Sequence, residues 1–176
     1  MNRSLVLAVA AVGTAAAVGA GACARANPEP AQPGPSETAA PRAGSGCDDN
    51  LDGALTALPQ PAAETGTAKN LLQCSGGAWQ GYLDPYPASD RWLTTGPDLV
   101  LHGQGRRNPE VRAGTWTATP QTDETSCRAE VVDVVAAGET SAPETHAADP
   151  GQPLTLELSD HLFTATLGGY CLWQRG

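Results

Sequence analysis

Three short segments carry residue types that could bind a metal ion, hydrolyse a substrate or bind a phosphate or carboxylate group. The first is an acidic run in which Asp48, Asn50, Asp52 and Gly53 match the opening positions of a calcium-binding EF-hand loop. The twelfth position of that loop requires a glutamate that supplies two oxygen ligands, but this sequence has Pro59 there. We therefore interpret the run as the acidic N-terminus of a helix, where carboxylates are favourable, and predict no metal site.

The second segment, Ser159-Asp160-His161, contains the three residue types of a hydrolase triad. A triad requires a chain of hydrogen bonds from serine to histidine to carboxylate, whereas adjacent side chains in a turn diverge. The sequence also lacks the G-x-S-x-G pattern of a nucleophile elbow. We interpret Asp160 as a turn residue and predict no catalytic residues.

The third segment is the glycine-rich run from His102 to Gly105, which is followed by Arg106 and Arg107. It lacks the lysine and the strand–helix context of a phosphate-binding loop. The two arginines are candidate ligand contacts, because a guanidinium can bind a carboxylate or phosphate with two hydrogen bonds. The three histidines are far apart and no pair has metal-ligand spacing, so we predict no cofactor.

Aromatic side chains are few, and four of them fall within residues 79–92. Flat aromatic faces on a β scaffold suit stacking on sugar rings or peptides, which makes Tyr86 and Trp92 candidate ligand contacts. The alternative is that Trp79 and Trp92 fill the core, because the sequence has a single phenylalanine. Trp173 has the same two interpretations: it packs on a neighbouring disulfide or it is an exposed contact.

The N-terminus predicts export. Arg3 precedes an uncharged, Ala- and Val-rich run from Leu5 to Ala22, which is typical of a signal peptide over residues 1–22. The sequence Ala20-Gly21-Ala22-Cys23 resembles the lipobox of bacterial lipoproteins. That resemblance implies cleavage before Cys23, lipidation of Cys23 that includes palmitate, and attachment to the outer face of the cell membrane. The alternatives are ordinary secretory cleavage, for example after Ala26, and an uncleaved N-terminal anchor, for which this run of small residues is a poor match.

Residues 24–46 contain five prolines and no aliphatic side chain larger than alanine. Such a segment buries too little surface to offset its chain entropy, so we predict a disordered tether over residues 23–46, with the lipidated cysteine at its start. The remaining residues, 47–176, are long enough for one domain with one core. The sequence therefore predicts a signal peptide, a tether and a single extracytoplasmic domain.

Cysteine usage supports an oxidising compartment. Without Cys23, four cysteines remain, an even number that allows three pairings. We favour Cys47–Cys74 and Cys127–Cys171, because each pair then lies within one apparent unit of the domain.

The domain is predicted to be mainly β, a small antiparallel sandwich or barrel with a short N-terminal helix. Leu51, Leu55 and Leu58 have helical spacing before Pro59, and a second helical turn is predicted over 68–73. Short strands separated by Pro- and Gly-rich joints follow. They are predicted at 78–83, 98–101, 114–119, 127–135, 154–158, 162–167 and 170–174.

The last three strands are predicted to form a meander with tight turns at Ser159-Asp160 and Gly168-Gly169. This register places one set of side chains on a buried face and leaves Thr164, Cys171 and Trp173 on the opposite, polar face. The predicted buried face consists of Leu154, Leu156, Leu158, Phe163, Ala165, Leu167, Tyr170 and Leu172.

Gly114-Thr115-Trp116 and the segment from Cys171 to Arg175, with its C-x-W-x-R pattern, are similar to elements of small exported domains of high-GC bacteria. The resemblance implies an extracytoplasmic β domain of unknown function and adds no catalytic residue.

The charge balance narrows the class of partner. Lys and Arg total 10 and Asp and Glu total 19, a formal net charge of −9. An acidic surface repels phosphates, so we expect neither a nucleic acid partner nor polybasic membrane attachment. We predict an envelope-tethered lipoprotein with a non-catalytic binding or structural domain, whose partner is a cell-wall glycan or another envelope protein. The alternatives are a free secreted glycan- or cell-wall-binding module and an unrecognised hydrolase.

Overall fold

The structure is a computed structural model that describes residues 40–59 and 69–176. The predicted signal peptide, the predicted lipidation site Cys23 and residues 24–39 of the predicted tether lie outside the described residues. Within the described ranges, no helix combines the length and the apolar character that crossing a membrane requires.

The described part of the chain is mainly β, as predicted, and its strands form two sheets. A seven-stranded sheet has the order β10-β6-β12-β4-β1-β2-β3, and a smaller sheet has the order β5-β11-β7-β8, with β9 also paired to β7. All strand pairs are antiparallel except β1 with β4. The strands are β1 Leu55–Ala57, β2 Leu71–Ser75, β3 Ala78–Tyr82, β4 Arg91–Thr94, β5 Leu99–His102, β6 Gly114–Pro120, β7 Arg128–Ala136, β8 Glu139–Thr140, β9 Glu144–Ala147, β10 Leu154–Leu158, β11 Leu162–Gly168 and β12 Cys171–Arg175.

The main core lies between the two sheets and a second apolar cluster covers the outer face of the larger sheet. Neighbouring residues of one strand pack alternately in the main core and in the second cluster, because successive side chains of a strand point to opposite faces of the sheet. In β4, Trp92 faces the main core and Leu93 the second cluster. The second cluster comprises Leu51, Ala54, Leu72, Cys74, Trp79, Leu93 and Leu172.

The predicted N-terminal helix is wrong. Only a three-residue 3-10 turn, Asp49–Leu51, forms, and the chain then enters strand β1. Leu51 packs in the second cluster and Leu55 packs in the main core. The two leucines therefore lie on opposite faces of one sheet and not on one face of a helix. The helical turn predicted over 68–73 is also wrong, because Leu71 and Leu72 divide between the two clusters in the same way within β2.

The predicted C-terminal meander is also wrong in its pairing. Strand β10 pairs with β6, β11 pairs with β5 and β7, and β12 pairs with β4 and β6. The two connections therefore carry the chain from one sheet to the other. At the second connection Gly169 has a φ of +87°, and a Cβ there would lie 2.3 Å from the carbonyl oxygen of Ser126, so the corner accepts only glycine.

Because the strands pair differently from the prediction, several side chains of the C-terminal strands face the opposite side of the sheet from the predicted one. Cys171 and Trp173 point into the main core, whereas Leu172 lies in the second cluster. Leu162 is 1% exposed, and its neighbour Phe163 is only half-buried. The alternating leucines of β10 are buried as predicted, and so are Ala165 and Leu167.

Two disulfides link the chain, Cys47–Cys74 and Cys127–Cys171, with Cα–Cα distances of 6.0 and 5.9 Å. The predicted pairing is confirmed. Cys127 immediately precedes β7 of the smaller sheet and Cys171 begins β12 of the larger one, so this bridge connects the two sheets through the core. The other bridge fixes the start of the described chain to the outer face of the larger sheet.

Candidate functional site

A cavity of about 370 Å³ opens where the chain enters the domain. We call residues 40–48 the entry segment and this cavity the entry pocket. The entry segment forms one wall, and the outer face of the larger sheet, together with the connection before β12, forms the rest. Its lining residues are Ala40, Pro41, Arg42, Ser45, Gly46, Cys47, Asp48, Leu51, Trp79, Leu93 and Tyr170.

The entry segment is held rigidly against the edge strand β3. Gly46 forms an antiparallel bridge with Ala78. The backbone N–H of Gly44 donates to the carbonyl of Trp79 at 2.7 Å, and the N–H of Trp79 donates to the carbonyl of Ser45 at 2.8 Å. Together with the Cys47–Cys74 bridge, these bonds make the wall of the pocket a part of the folded sheet.

A tight turn places Arg42 at the rim of the pocket. The Ser45 hydroxyl donates to the carbonyl of Arg42 at 2.8 Å and accepts from its backbone N–H at 3.2 Å. This closed pair of bonds fixes the backbone of the turn and leaves the Arg42 residue exposed. Its guanidinium is thus a hydrogen-bond donor presented next to the pocket.

The floor of the pocket is apolar and its rim is polar. Leu51, Trp79 and Leu93 are each 4% exposed or less, so only a small part of each reaches the cavity. Tyr170 also lines the pocket and is half-buried. Burial, and secondarily the nearby Asp48 carboxylate, raise the pKa of the Tyr170 hydroxyl above its usual value of 10.0. The hydroxyl therefore stays protonated at neutral pH and can donate a hydrogen bond.

The acidic run at residues 48–53 does not converge on a metal. Asp48 lines the pocket, whereas the Asp52 carboxylate accepts a hydrogen bond from the backbone of Gly76 at 3.3 Å. Across residues 40–59 and 69–176, no group of three His, Cys, Asp or Glu side chains is arranged to hold a metal ion.

A second group of charged residues surrounds Glu110, which is completely buried. The Lys69 ammonium donates to both carboxylate oxygens, at 2.6 and 2.7 Å, and the backbone N–H of His102 donates to Oε2 at 2.9 Å. The Glu110 carbonyl accepts from the Trp92 indole N–H at 3.3 Å. Because its oxygens are enclosed and bonded within the protein, Glu110 forms an internal ion pair rather than a group that faces a substrate.

His102 lies beside this ion pair, with Nδ1 3.8 Å from Glu110 Oε2. Burial lowers the pKa of His102 below its usual value, and the positive charges of Arg106 and Lys69 lower it further against the opposing effect of Glu110. His102 is therefore neutral at pH 7. The pair resembles the histidine and carboxylate of a hydrolase, but the carboxylate is inaccessible to solvent.

The other hydrolase-like segment does not form a triad. The Ser159 hydroxyl donates to Asp133 Oδ1 at 2.7 Å and also accepts from the backbone N–H of His161. His161 Nε2 lies 3.5 Å from Asp160, and both of these side chains are exposed. The serine is thus occupied by turn and inter-strand bonds, as a structural turn residue would be.

The glycines after His102 serve packing. A Cβ at Gly103 would lie 2.3 Å from the carbonyl oxygen of Leu162, and one at Gly105 would lie 2.6 Å from that of His161. These residues therefore let the loop approach β11 closely instead of surrounding a phosphate. Arg106 and Arg107 are exposed, and the Arg106 guanidinium lies 4.6 Å from the centre of the Phe163 ring.

Two of the candidate aromatic contacts must be corrected. Trp92 and Trp173 are 0% and 1% exposed, so neither reaches the surface to meet a ligand. They occupy the main core because the domain has too few other large apolar side chains to fill it. The Trp173 indole N–H donates to the Thr94 hydroxyl at 3.2 Å. Tyr86 is 37% exposed, and its role as a contact stays a prediction.

Sequence reasoning missed most of the entry pocket. Arg42 falls in the Pro- and Ala-rich segment that predicted a tether, and Tyr170 was assigned to the core by the meander register. The one available signal was the predicted Cys47–Cys74 pairing, which brings the entry segment to the residues around Trp79.

No family model, curated protein or solved structure matches this chain. In the entry pocket, polar rim groups and an apolar floor meet in an open cavity, as in small-molecule sites. The histidine–carboxylate pair of His102 and Glu110 has its carboxylate sealed from solvent.

Proposed function

We propose that this protein is an exported, envelope-tethered binding protein whose β domain holds a ligand in the entry pocket without catalysing a reaction. The two disulfides indicate an oxidising, extracytoplasmic compartment. The lipobox-like sequence before Cys23 supports anchoring by lipid, and the Pro-rich residues 24–39 support a tether between the anchor and the domain, whose folded part includes the entry segment.

The entry pocket is the observation that carries the proposal. Its volume, about 370 Å³, falls within the range of roughly 300–1,000 Å³ that is usual for small-molecule sites. Its wall is fixed by the Cys47–Cys74 bridge and by backbone bonds to β3, so the site is formed before a ligand arrives. A preformed site loses little conformational entropy on binding, which favours specific recognition.

Retention on isolated cell envelope tests the proposal. We expect the wild-type domain to be retained, and the pocket variants Asp48→Asn and Tyr170→Phe to lose most of this retention. The matched controls are Asp160→Asn, which removes the same charge from an exposed turn, and Tyr82→Phe, which removes the same hydroxyl from a side chain on the core-facing side of the larger sheet, outside the pocket. Equal retention of pocket and control variants would overturn the proposal.

The anchor is tested separately. Cys23→Ser should block lipidation and release the protein from the membrane fraction, with a matching change in intact mass. If fractionation and mass stay the same, Cys23 is not the anchor. The protein is then freely secreted if it is found outside the membrane fraction, and held by an uncleaved N-terminal segment if it stays in that fraction.

A free secreted glycan-binding module is the alternative favoured by the exposed Tyr86. Tyr86 lies in a Pro-rich loop, where its backbone N–H donates to Asp84 Oδ1 at 2.9 Å. Under this alternative, Tyr86→Ala lowers retention on cell wall and the two pocket variants do not.

A further inference from the structure

We infer that the entry pocket binds a neutral saccharide unit, such as a terminal sugar of an envelope glycan. This inference rests on the proposed function and names the ligand class of the same pocket. Three properties of the lining carry it: the charge balance, the mixture of hydrogen-bond donors and acceptors, and the apolar floor.

The charges that line the pocket cancel. They come from Arg42 and Asp48, one positive and one negative. A pocket for an anionic ligand would show an excess of positive groups, and one for a cation the reverse. A neutral ligand is therefore the best match to the lining.

The rim presents donors beside an acceptor. The Asp48 carboxylate accepts hydrogen bonds, the Arg42 guanidinium donates them, and the protonated Tyr170 hydroxyl does both. The Ser45 hydroxyl is already used in its own turn. A sugar hydroxyl both donates and accepts, so adjacent hydroxyls can satisfy all three groups. A purely apolar ligand would cover these groups and leave them unpaired, which is costly.

The apolar floor of the pocket matches the carbon-bound faces of a sugar ring. Leu51, Trp79 and Leu93 present apolar atoms at the base of the cavity. A pyranose ring has C–H groups on its faces and hydroxyls around its edge, so it can place carbon atoms on this floor and hydroxyls at the rim. The pocket volume of about 370 Å³ is near the lower end of small-molecule sites, which suits one or two rings rather than a long chain.

The experiment titrates the exported, disulfide-bonded protein with three soluble probes. These are a neutral disaccharide of N-acetylglucosamine, an anionic disaccharide that contains a uronic acid, and a neutral aromatic dipeptide. Calorimetry gives the Kd, and saturation-transfer NMR identifies the ligand protons in contact. We expect the neutral disaccharide to bind best. Asp48→Asn and Tyr170→Phe should each weaken it by about tenfold, the loss of roughly one hydrogen bond to a charged or buried group.

The controls are again Asp160→Asn and Tyr82→Phe, with near-ultraviolet circular dichroism to show that every variant is folded. Stronger binding of the anionic disaccharide or the dipeptide, or sugar binding that the pocket variants leave unchanged, overturns the saccharide inference. If envelope retention depends on Asp48 and Tyr170 but no sugar binds, the inference fails while the proposed function stands. If retention is independent of the pocket, the proposed function fails first.

Discussion

Lys69 and Glu110 form an ion pair in which the ammonium lies 2.6 and 2.7 Å from the two carboxylate oxygens, with no part of the glutamate exposed. Lys69 comes shortly before β2 of the larger sheet, and Glu110 lies in the loop between β5 and β6. The pair therefore connects two distant parts of the chain. Its Lys69 side chain is 19% exposed, so the pair is partly screened by solvent at one end.

Replacing Lys69 by methionine should destabilise the domain strongly. The Glu110 carboxylate would stay buried without its counter-ion, a change that costs up to about 3–5 kcal/mol in fully buried pairs and less here because Lys69 is partly exposed. Urea unfolding with the disulfides intact measures this loss. The double variant Lys69→Met, Glu110→Gln should recover much of it, because no buried charge remains. A double variant as unstable as the single one would contradict this account.

The pH dependence of stability should report on His102. Its folded pKa is lowered below 6.5, so the unfolded chain binds more protons between the folded pKa and 6.5. The contribution of His102 to the free energy of unfolding is thus fully present above pH 6.5 and is lost as the pH falls toward the folded pKa. His102→Gln should flatten this part of the pH profile. An unchanged slope in the variant would mean that other groups produce it.

Leu162 should contribute more to stability than its larger neighbour Phe163. Leu162 is 1% exposed in the core, so Leu162→Ala should cost about 2–5 kcal/mol. Phe163 is only half-buried, beneath Arg106, so Phe163→Ala should cost less, about 1–2 kcal/mol, from lost apolar burial and the lost contact with the guanidinium. Denaturant midpoints of the two variants decide this. A larger loss at Phe163 would favour the meander register over the observed pairing.

Gly103→Ala should be destabilising by about 1–3 kcal/mol, because the added Cβ would collide with the backbone of Leu162. Gly81→Ala is the matched control: a Cβ there meets no atom within 4 Å, and we expect no loss of stability. Thermal unfolding of the two variants makes the comparison. Equal melting temperatures would show that the loop moves away from β11 without cost.

The two disulfides should differ in function more than in stability. Their sequence separations, 27 and 44 residues, predict similar losses of about 3.5–4 kcal/mol when each is removed, according to the loop-entropy model. The Cys47–Cys74 bridge also fixes a wall of the entry pocket. Replacing that pair by serines should therefore reduce envelope retention at a temperature where the domain is still folded.

Replacing Cys127 and Cys171 by serines, under the same conditions, is the control for this experiment. It should leave retention by the folded fraction unchanged, because neither cysteine lines the pocket. Loss of retention in both variants would mean that global stability, and not the pocket wall, controls binding.

Local patterns predicted much of the fold. The strict alternation of β10 predicted that Leu154, Leu156 and Leu158 are buried, and they are, because side-chain direction depends only on the strand itself. The sequence of β10 did not indicate which strand β10 pairs with. A strand with this alternation can pair with a neighbour in sequence or with β6, and Gly168-Gly169 suits a hairpin or a corner between sheets equally well.

The candidate site was harder to predict for the same reason. Asp48, Trp79 and Tyr170 meet only after three separate parts of the chain fold together. The local sequence left Trp92 and Trp173 as either core residues or ligand contacts. Only the packing of the two sheets shows that both are core residues. The disulfide pairing was the one long-range feature that the sequence predicted, because an even number of cysteines limits the choices.

The position of β12 has a consequence for incomplete chains. This strand lies between β4 and β6, both of which precede it in the sequence. A polypeptide interrupted before Cys171 would keep two strands from the middle of a sheet with unpaired backbone edges, and Cys127 would be a free thiol. Open edges of this kind template aggregation. Chains that lack β12 should therefore aggregate through the open edges of β4 and β6 instead of reaching the native fold.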